Sequence, residues 1–203
     1  YKWQYALETN AEGRTGSMPE AIAGADVLIA ASKPGPDTIK KEWLTAMNRD
    51  AIAFVMVNPI PEIWPWEAAE AGVRIVGTGR SDFPNQINNS IGFPGIFRGT
   101  LDVFAKTITD EMAIAAAYSI AKTAEDKGLN EEYIVPTMME TDVFINEAVA
   151  VGLKAIEQGI ARRILTADEL RAEAEAKILH AQAETKSLMQ AGIIAPAPEI
   201  TID

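Results

Sequence analysis

Cysteine is absent from this chain of 203 residues, and histidine occurs once, at His180. The first absence excludes disulfides, thiolate nucleophiles and zinc–thiolate centres. The second leaves little scope for imidazole chemistry, and the charged helical context around His180 makes it a surface or packing residue. Positive charge is also in short supply: 18 Lys and Arg stand against 29 Asp and Glu, for a net charge of -11. A nucleic-acid surface needs clustered cations to displace counterions, so no nucleic-acid partner is expected. No apolar run approaches the length of a membrane span. Nor does any Gly-x-Gly-x-x-Gly open a strand–helix turn; Gly77-Thr78-Gly79 meets Asp82 where the third glycine would stand. The pyrophosphate-binding half of a dinucleotide fold is therefore not encoded here.

What remains is an ordinary globular composition, 48% hydrophobic and 23% charged, long enough to bury a sizeable core. Ser17-Met18-Pro19-Glu20 reads as a capping box, with Pro19 tolerated in the first turn and Gly24 as a left-handed stop. Ala25 to Ala31 then reads as a strand buried on both faces, interrupted only by Asp26. A helix capped by Asp37 or Thr38 and running to Met47 leads to a second apolar run, Ala51 to Val57. A third helix, Trp66 to Ala71 with Gly72 as its stop, leads to Val73–Gly77. Short helices alternating with apolar runs predict a parallel sheet. The polar loops at Ser32–Gly35, Asn58–Glu62 and Thr78–Asn89 all fall at the carboxyl ends of these strands, where such sheets bind ligands. That coincidence points to one shared site.

The last hundred residues change character. The pattern predicts a helix from Thr109 to Asp126 with Gly128 as its stop, and an Ala-rich helix from Val143 to Ala161. Thr166-Ala167-Asp168-Glu169 is a further capping box, opening a long helix to about Ala191 with a thin apolar face. Gly192 to Pro198 ends it, leaving a loose tail.

The segment Thr78-Gly79-Arg80-Ser81-Asp82-Phe83-Pro84-Asn85-Gln86-Ile87-Asn88-Asn89, closed by Phe93-Pro94-Gly95-Ile96-Phe97-Arg98-Gly99, concentrates glycine, proline and neutral amides. Amides supply donors and acceptors without charge, which suits recognition of a carboxamide, a hydroxyl or a carboxylate. The same amides can instead bond their own backbone. Asn58, a strand-ending residue before proline, admits both readings, and local bonding of the following turn is favoured on chemistry alone. Asn88 and Asn89 are adjacent, so only a loop or helical turn lets both face a ligand. Arg80 and Asp82 form either an acid–base pair or a loop-fixing salt bridge. For Arg98 a structural role is favoured over a carboxylate clamp. Glu62, Asp82 and Asp102 show no metal-ligand spacing. Trp64 and Trp66 flank Pro65 as an apolar cover or a subunit contact.

The wording TGRSDFPNQINN followed by FPGIFRG resembles the signature of bacterial and archaeal malic enzymes. The similarity extends through Gly24–Ile29, Ser32-Lys33-Pro34-Gly35, Asn58–Ile63, Asn146–Ala150 and Gly159–Arg163. The resemblance implies a partial doubly wound, Rossmann-like α/β fold: residues 1–105 as the second half of a dinucleotide-binding domain, and 106–203 as a helical extension packed on it. It implies an enzyme that converts malate to pyruvate and CO2 with NAD or NADP and Mg2+ or Mn2+. Asn58 would contact the cofactor near its nicotinamide end. Asn89 would touch both cofactor and malate, with Asn88 second on the malate side. Ser32 and Gly35 would line the dinucleotide cleft.

The family's Tyr acid, Lys base and three acidic metal ligands lie upstream of the matched region and find no counterpart here. No catalytic residue or metal ligand is therefore assigned within the chain, which is expected to be inactive alone. Its start at Tyr1-Lys2-Trp3, with neither an initiating Met nor a secretory pattern, is expected of a cut through a longer, cytoplasmic protein. The expected partners are the missing N-terminal part and a second subunit in a dimer, with self-association of the chain in isolation. The competing readings are a non-catalytic assembly or regulatory module with a vestigial cleft, and a different dehydrogenase with a similar second half. The TGRSDFPNQINN wording argues against the latter.

Overall fold

Alternation along three short strands decides which way the first half of the chain folds. The computed structural model describes residues 2–195, so the tail expected to be loose lies partly outside the described residues. Helices α1 (Lys2–Thr9) and α2 (Met18–Ile22) precede strand β1 (Val27–Ala30). Then come α3 (Lys41–Leu44), β2 (Ile52–Val55), α4 (Pro65–Glu70) and β3 (Ile75–Thr78). A 3-10 turn over Asn89–Ile91 follows, and then α5 (Phe93–Asp102), α6 (Asp110–Lys127), α7 (Thr141–Glu157) and α8 (Ala167–Gln190). The chain divides into two compact units. One holds the chain up to Ile91 together with Ala124–Met138; the other holds Gly92–Thr123 and the chain from Met139 onward.

In the first unit the strands are parallel in the order β1-β2-β3, with Val27, Ile52 and Ile75 in register. This is the α/β architecture that the sequence predicts. Leu28, Ala30, Ala53, Val55 and Val76 face a core completed by Ile22 of α2, Leu44 of α3 and Ala68 of α4. Val55 and Ala53 are fully excluded from solvent, and Leu44 nearly so. Burying one such aliphatic side chain contributes about 1.5–3 kcal/mol. The opposite face differs: Val27 is 49% and Ile29 65% exposed. The expectation of a first strand buried on both faces is thus corrected. Both crossovers place their helices on one side of the sheet, as right-handed connections in a steadily advancing strand order require. The Ser17 box forms, with Glu20 accepting from the Ser17 N–H at 2.5 Å, and Gly24 adopts φ 72°. The second helix is shorter than predicted, starting at Lys41 rather than near Asp37, because Asp37 itself takes a positive φ of 72°.

The second unit is helical. Val103, Met112, Val151, Ala155 and Leu170 form its main core cluster. Glycines set how closely its helices approach. A Cβ on Gly99 of α5 would collide with the Ala148 carbonyl of α7 and stand 2.9 Å from Val151 Cβ. Helix α5, over the FPGIFRG motif, is absent from the periodicity reading. Its proline sits in the first turn, and its apolar residues Phe93, Ile96, Phe97 and Leu101 recur at helical spacing, but the residues it buries are Gly95, Gly99 and Asp102. Phe93, Phe97 and Leu101 are exposed instead. Arg98 takes the structural role, pairing with buried Asp102 at 2.7 Å. Lys177 of α8 also reaches Asp102, while Arg163 pairs with Glu173. The Thr166 box opens α8, the Thr166 N–H donating to Glu169 at 2.8 Å. His180 is exposed and lies 3.1 Å from Glu184.

One carboxyl in this unit is uncompensated. Glu147 of α7 is fully buried against Gly95, and neither of its oxygens has a hydrogen-bond partner. Burial pushes its pKa up to about 8. Because the folded value is raised, the folded chain retains a proton that the unfolded chain releases. Between the ordinary glutamate range and about pH 8, stability should therefore fall by roughly 1.4 kcal/mol per pH unit from this group. Glu147→Gln should abolish that slope when urea midpoints are compared between about pH 5 and 9. Equal slopes in the two proteins would show that ionised Glu147 finds a counter-charge.

Candidate functional site

The parallel register places Ala30, Val55 and Thr78 level with one another. The three loops that follow therefore leave the sheet from the same edge, all within the first unit. What ties them together is a set of polar contacts that periodicity does not reveal.

Glu62 is the first tie. Its side chain is fully buried, yet one oxygen accepts the Ser32 N–H at 2.9 Å and the Ser32 hydroxyl at 3.3 Å. The other oxygen lies 3.3 Å from the Val57 N–H. The same loop's backbone accepts from Gly35 N–H at Ile60 O and from Ile39 N–H at Glu62 O. Ser32 and Gly35 are thus fixed by the loop after β2, with Gly35 at φ 132°, a conformation that favours glycine. Sequence reasoning weighed Glu62 only as a metal ligand. The available signal was an acid enclosed by Pro61 and Ile63 in a loop, which requires internal donors.

Gly79 is the second tie. Its carbonyl accepts from Asn58 Nδ2 at 2.8 Å and from Asn88 Nδ2 at 2.6 Å, so the two asparagines meet on one oxygen. Only glycine permits this approach, since a Cβ there would collide with the Met56 carbonyl and stand 2.8 Å from Asn58 Nδ2. Arg80 is the third. Its Nη1 donates to the Pro59 carbonyl at 2.8 Å, and its Nε and Nη2 form a two-pronged pair with Asp82 at 2.8 and 2.6 Å. The Asp82 hydrogen bonds raise the Arg80 pKa and hold the Asp82 carboxyl below the usual aspartate range. The pair is a loop-fixing salt bridge, ionised across neutral pH and lost only as pH falls below that range. Trp64 and Trp66 stack at 4.9 Å with Phe83 edge-on to both, and Arg80 lies 5.2 Å from the Phe83 ring centre.

The amides of the long polar segment divide by function. Asn85 is spent internally: it donates to Val76 O and Glu131 O and accepts from Ile134 N–H, fastening residues 131–134 to β3. Gln86 donates to Ser90 Oγ. Asn88 is half used, its Oδ1 accepting the Ser90 N–H at 2.9 Å. Asn58 keeps its Oδ1 unpartnered, and the exposed Asn89 side chain has no partner among the described residues. Both readings of the segment therefore hold, for different residues. Among the described residues no group of three or more His, Cys, Asp or Glu could hold a metal ion.

Residues 73–156 match the family model described as "Malic enzyme, NAD binding domain". The chain is 49% identical to the NAD-dependent malic enzyme of Geobacillus stearothermophilus over 162 residues, 79% of this chain and 33% of that protein. The chain is similar to the malic enzymes, in their NAD-binding part. It is also 44% identical to the bifunctional malic/malolactic enzyme of Bacillus subtilis, over 83% of this chain and 41% of that one. In structure it is similar to the Entamoeba histolytica malic enzyme, with a TM-score of 0.89, 46% identity, and 93% of this chain against 39% of that chain covered. The Pyrococcus horikoshii malic enzyme gives a TM-score of 0.80 at 48% identity, covering 86% of this chain and 40% of that one. The chain thus spans only about a third to two fifths of these relatives.

The three ties make a specific demand on Gly79. Gly79→Ala should destabilise the first unit by about 1–3 kcal/mol, the usual cost of forcing a methyl into a filled space. It should also release the Asn58 amide. Urea unfolding checks the first effect, and the Asn58 side-chain NH2 resonances check the second. An unchanged midpoint and unshifted resonances would show that the loops are free to separate.

Proposed function

We propose that this chain is the dinucleotide-binding portion of an enzyme that oxidatively decarboxylates malate to pyruvate and CO2. The observation that carries the reading is the pair of amides left unsatisfied at the carboxyl edge of the sheet, Asn58 Oδ1 and the whole Asn89 side chain. These groups fit a nicotinamide dinucleotide, whose carboxamide both donates and accepts hydrogen bonds. When bound, that dinucleotide accepts the hydride from C2 of malate. Asn58 orients the nicotinamide end, Asn89 spans cofactor and malate, and Asn88 uses its remaining donor and lone pair on malate. Ser32 and Gly35, fixed through Glu62 and Ile60, line the cleft.

Nothing in the described residues fits a divalent metal, and no step here is routed through one. The general acid, the general base and the metal ligands belong to the rest of the enzyme, and the chain alone is inactive. In this reading residues 1–105 complete a dinucleotide-binding domain and 106–203 form its helical extension. The open sheet face at Val27 and Ile29 supports it, because parallel sheets are ordinarily covered on both faces. Relatives include both NAD-dependent and NADP-dependent malic enzymes, so the cofactor is NAD or NADP. The assembled enzyme is a cytoplasmic dimer. No helix among the described residues is long and apolar enough to cross a membrane.

Malate-dependent formation of NADH or NADPH with Mg2+ or Mn2+ tests this directly. The intact protein containing this segment should turn over while the 203-residue chain does not. In the intact protein Asn89→Ala should lower kcat/KM by roughly 10²-fold, a loss typical of misplaced reactants. Turnover by the isolated chain would overturn the division of labour. No turnover by the intact protein would leave an assembly or regulatory module.

A further inference from the structure

We infer that Arg80 is a positioning residue that directs the amide of Asn58 toward the dinucleotide, an inference that rests on the functional reading above. Asn58 is held from two sides by consecutive residues of the neighbouring loop. Its Nδ2 donates to the Gly79 carbonyl at 2.8 Å. One residue further on, the Pro59 carbonyl accepts from Arg80 Nη1 at 2.8 Å. The first contact fixes the side chain and the second fixes the main chain that bears it. With Nδ2 tied down on one side, the Asn58 Oδ1 is presented away from Gly79 as an acceptor of defined direction. An acceptor so held selects an N–H donor such as a primary carboxamide over a carboxylate, which would leave two acceptors opposed.

The guanidinium can serve this purpose because it cannot swing. Asp82 engages Nε and Nη2 together, at 2.8 and 2.6 Å, leaving Nη1 for Pro59. Trp64 and Phe83 flank it at 5.9 and 5.2 Å from their ring centres. A planar fork has the geometry for all three bonds at once, and a lysine ammonium does not. Magnitude separates positioning from stability. Arg80 is 31% and Asp82 57% exposed, and exposed pairs of this kind contribute little to folding stability. The pair is therefore a weak fastener for the fold and an effective one for direction. An acid–base role is excluded, because every guanidinium nitrogen is already committed as a donor.

The test uses the intact protein that contains this chain, with Arg80→Met, Arg80→Lys and Asp82→Asn compared with the native sequence. NADH and NADPH are the probes, with Kd read from their fluorescence and steady-state constants taken alongside. Arg80→Met should weaken dinucleotide binding about tenfold and raise the dinucleotide KM in parallel, with the thermal midpoint little changed, as loss of support behind a binding group predicts. Arg80→Lys should fail to rescue it. Asp82→Asn should shift it in the same direction by a smaller factor, and it serves as the deciding variant should Arg80→Met fail to fold. Folded variants with native Kd and KM would overturn the assignment, as would full rescue by lysine. Dinucleotide binding reports on Arg80 whether or not malate is turned over. Failure of the malic-enzyme reading, seen as native protein that binds dinucleotide without turnover, is therefore distinguishable from failure of this inference.

Discussion

The parallel alignment of β1, β2 and β3 is the constraint on which the first unit depends. It places Ala30, Val55 and Thr78 at one level, so three loops with unrelated sequences begin side by side. Parallel strands also need crossover connections, and here these run through α3 and α4 on a single side. The same topology that collects the loops thus leaves Val27 and Ile29 exposed on the other face. Site formation and the incompleteness of the sheet have one cause.

Backbone alignment brings the loops near each other; polar contacts between them set their geometry. Glu62 ties the loop after β1 to the loop after β2, and Gly79 with Arg80 ties the latter to the loop after β3. Two of the ties use a group that would be costly to leave unsatisfied, a buried carboxylate and a crowded carbonyl; the third uses a solvent-accessible guanidinium whose planar fork fixes direction. Glu62 and Arg80, at the centres of two ties, spend their side-chain atoms on protein partners. The side chains that stay partly free, Asn58 and Asn89, are the ones left to recognise something else. The abundance of amides in one segment is explained by this division of labour.

The helical unit follows a different logic. Its seam between α5 and α7 is made by Gly95, Gly99 and Gly152, which bring backbones close enough to enclose Glu147 without a partner. Its charges gather instead at Asp102, reached by Arg98 and Lys177, with Arg163 on Glu173 nearby in the same network. A neutral carboxyl in an apolar seam and an ion cluster beside it divide the polar groups by whether a cation can reach them.

Much was legible in the residues alone. The three strands, the helix stops at Gly24, Gly72 and Gly128, and the Ser17 and Thr166 boxes are local features. Short-range sterics and hydrogen bonds dictate them, so they can be read from neighbours in sequence. The TGRSDFPNQINN wording likewise pointed to the malic enzymes without any coordinates. Three things were decided only by tertiary structure. The open face of β1 depends on which side the crossovers take. Helix α5 buries its glycine face and leaves the periodic residues Phe93, Phe97 and Leu101 exposed, the reverse of what periodicity implies. The meeting of Asn58 and Asn88 on Gly79, the reach of Glu62 to Ser32 and the grip of Arg80 on Pro59 join residues 30, 21 and 21 or fewer positions apart. Periodicity reports how one segment meets the core, and contacts between loops obey no period. They exist because the sheet delivers the loops to the same edge, and that delivery is a property of the folded chain.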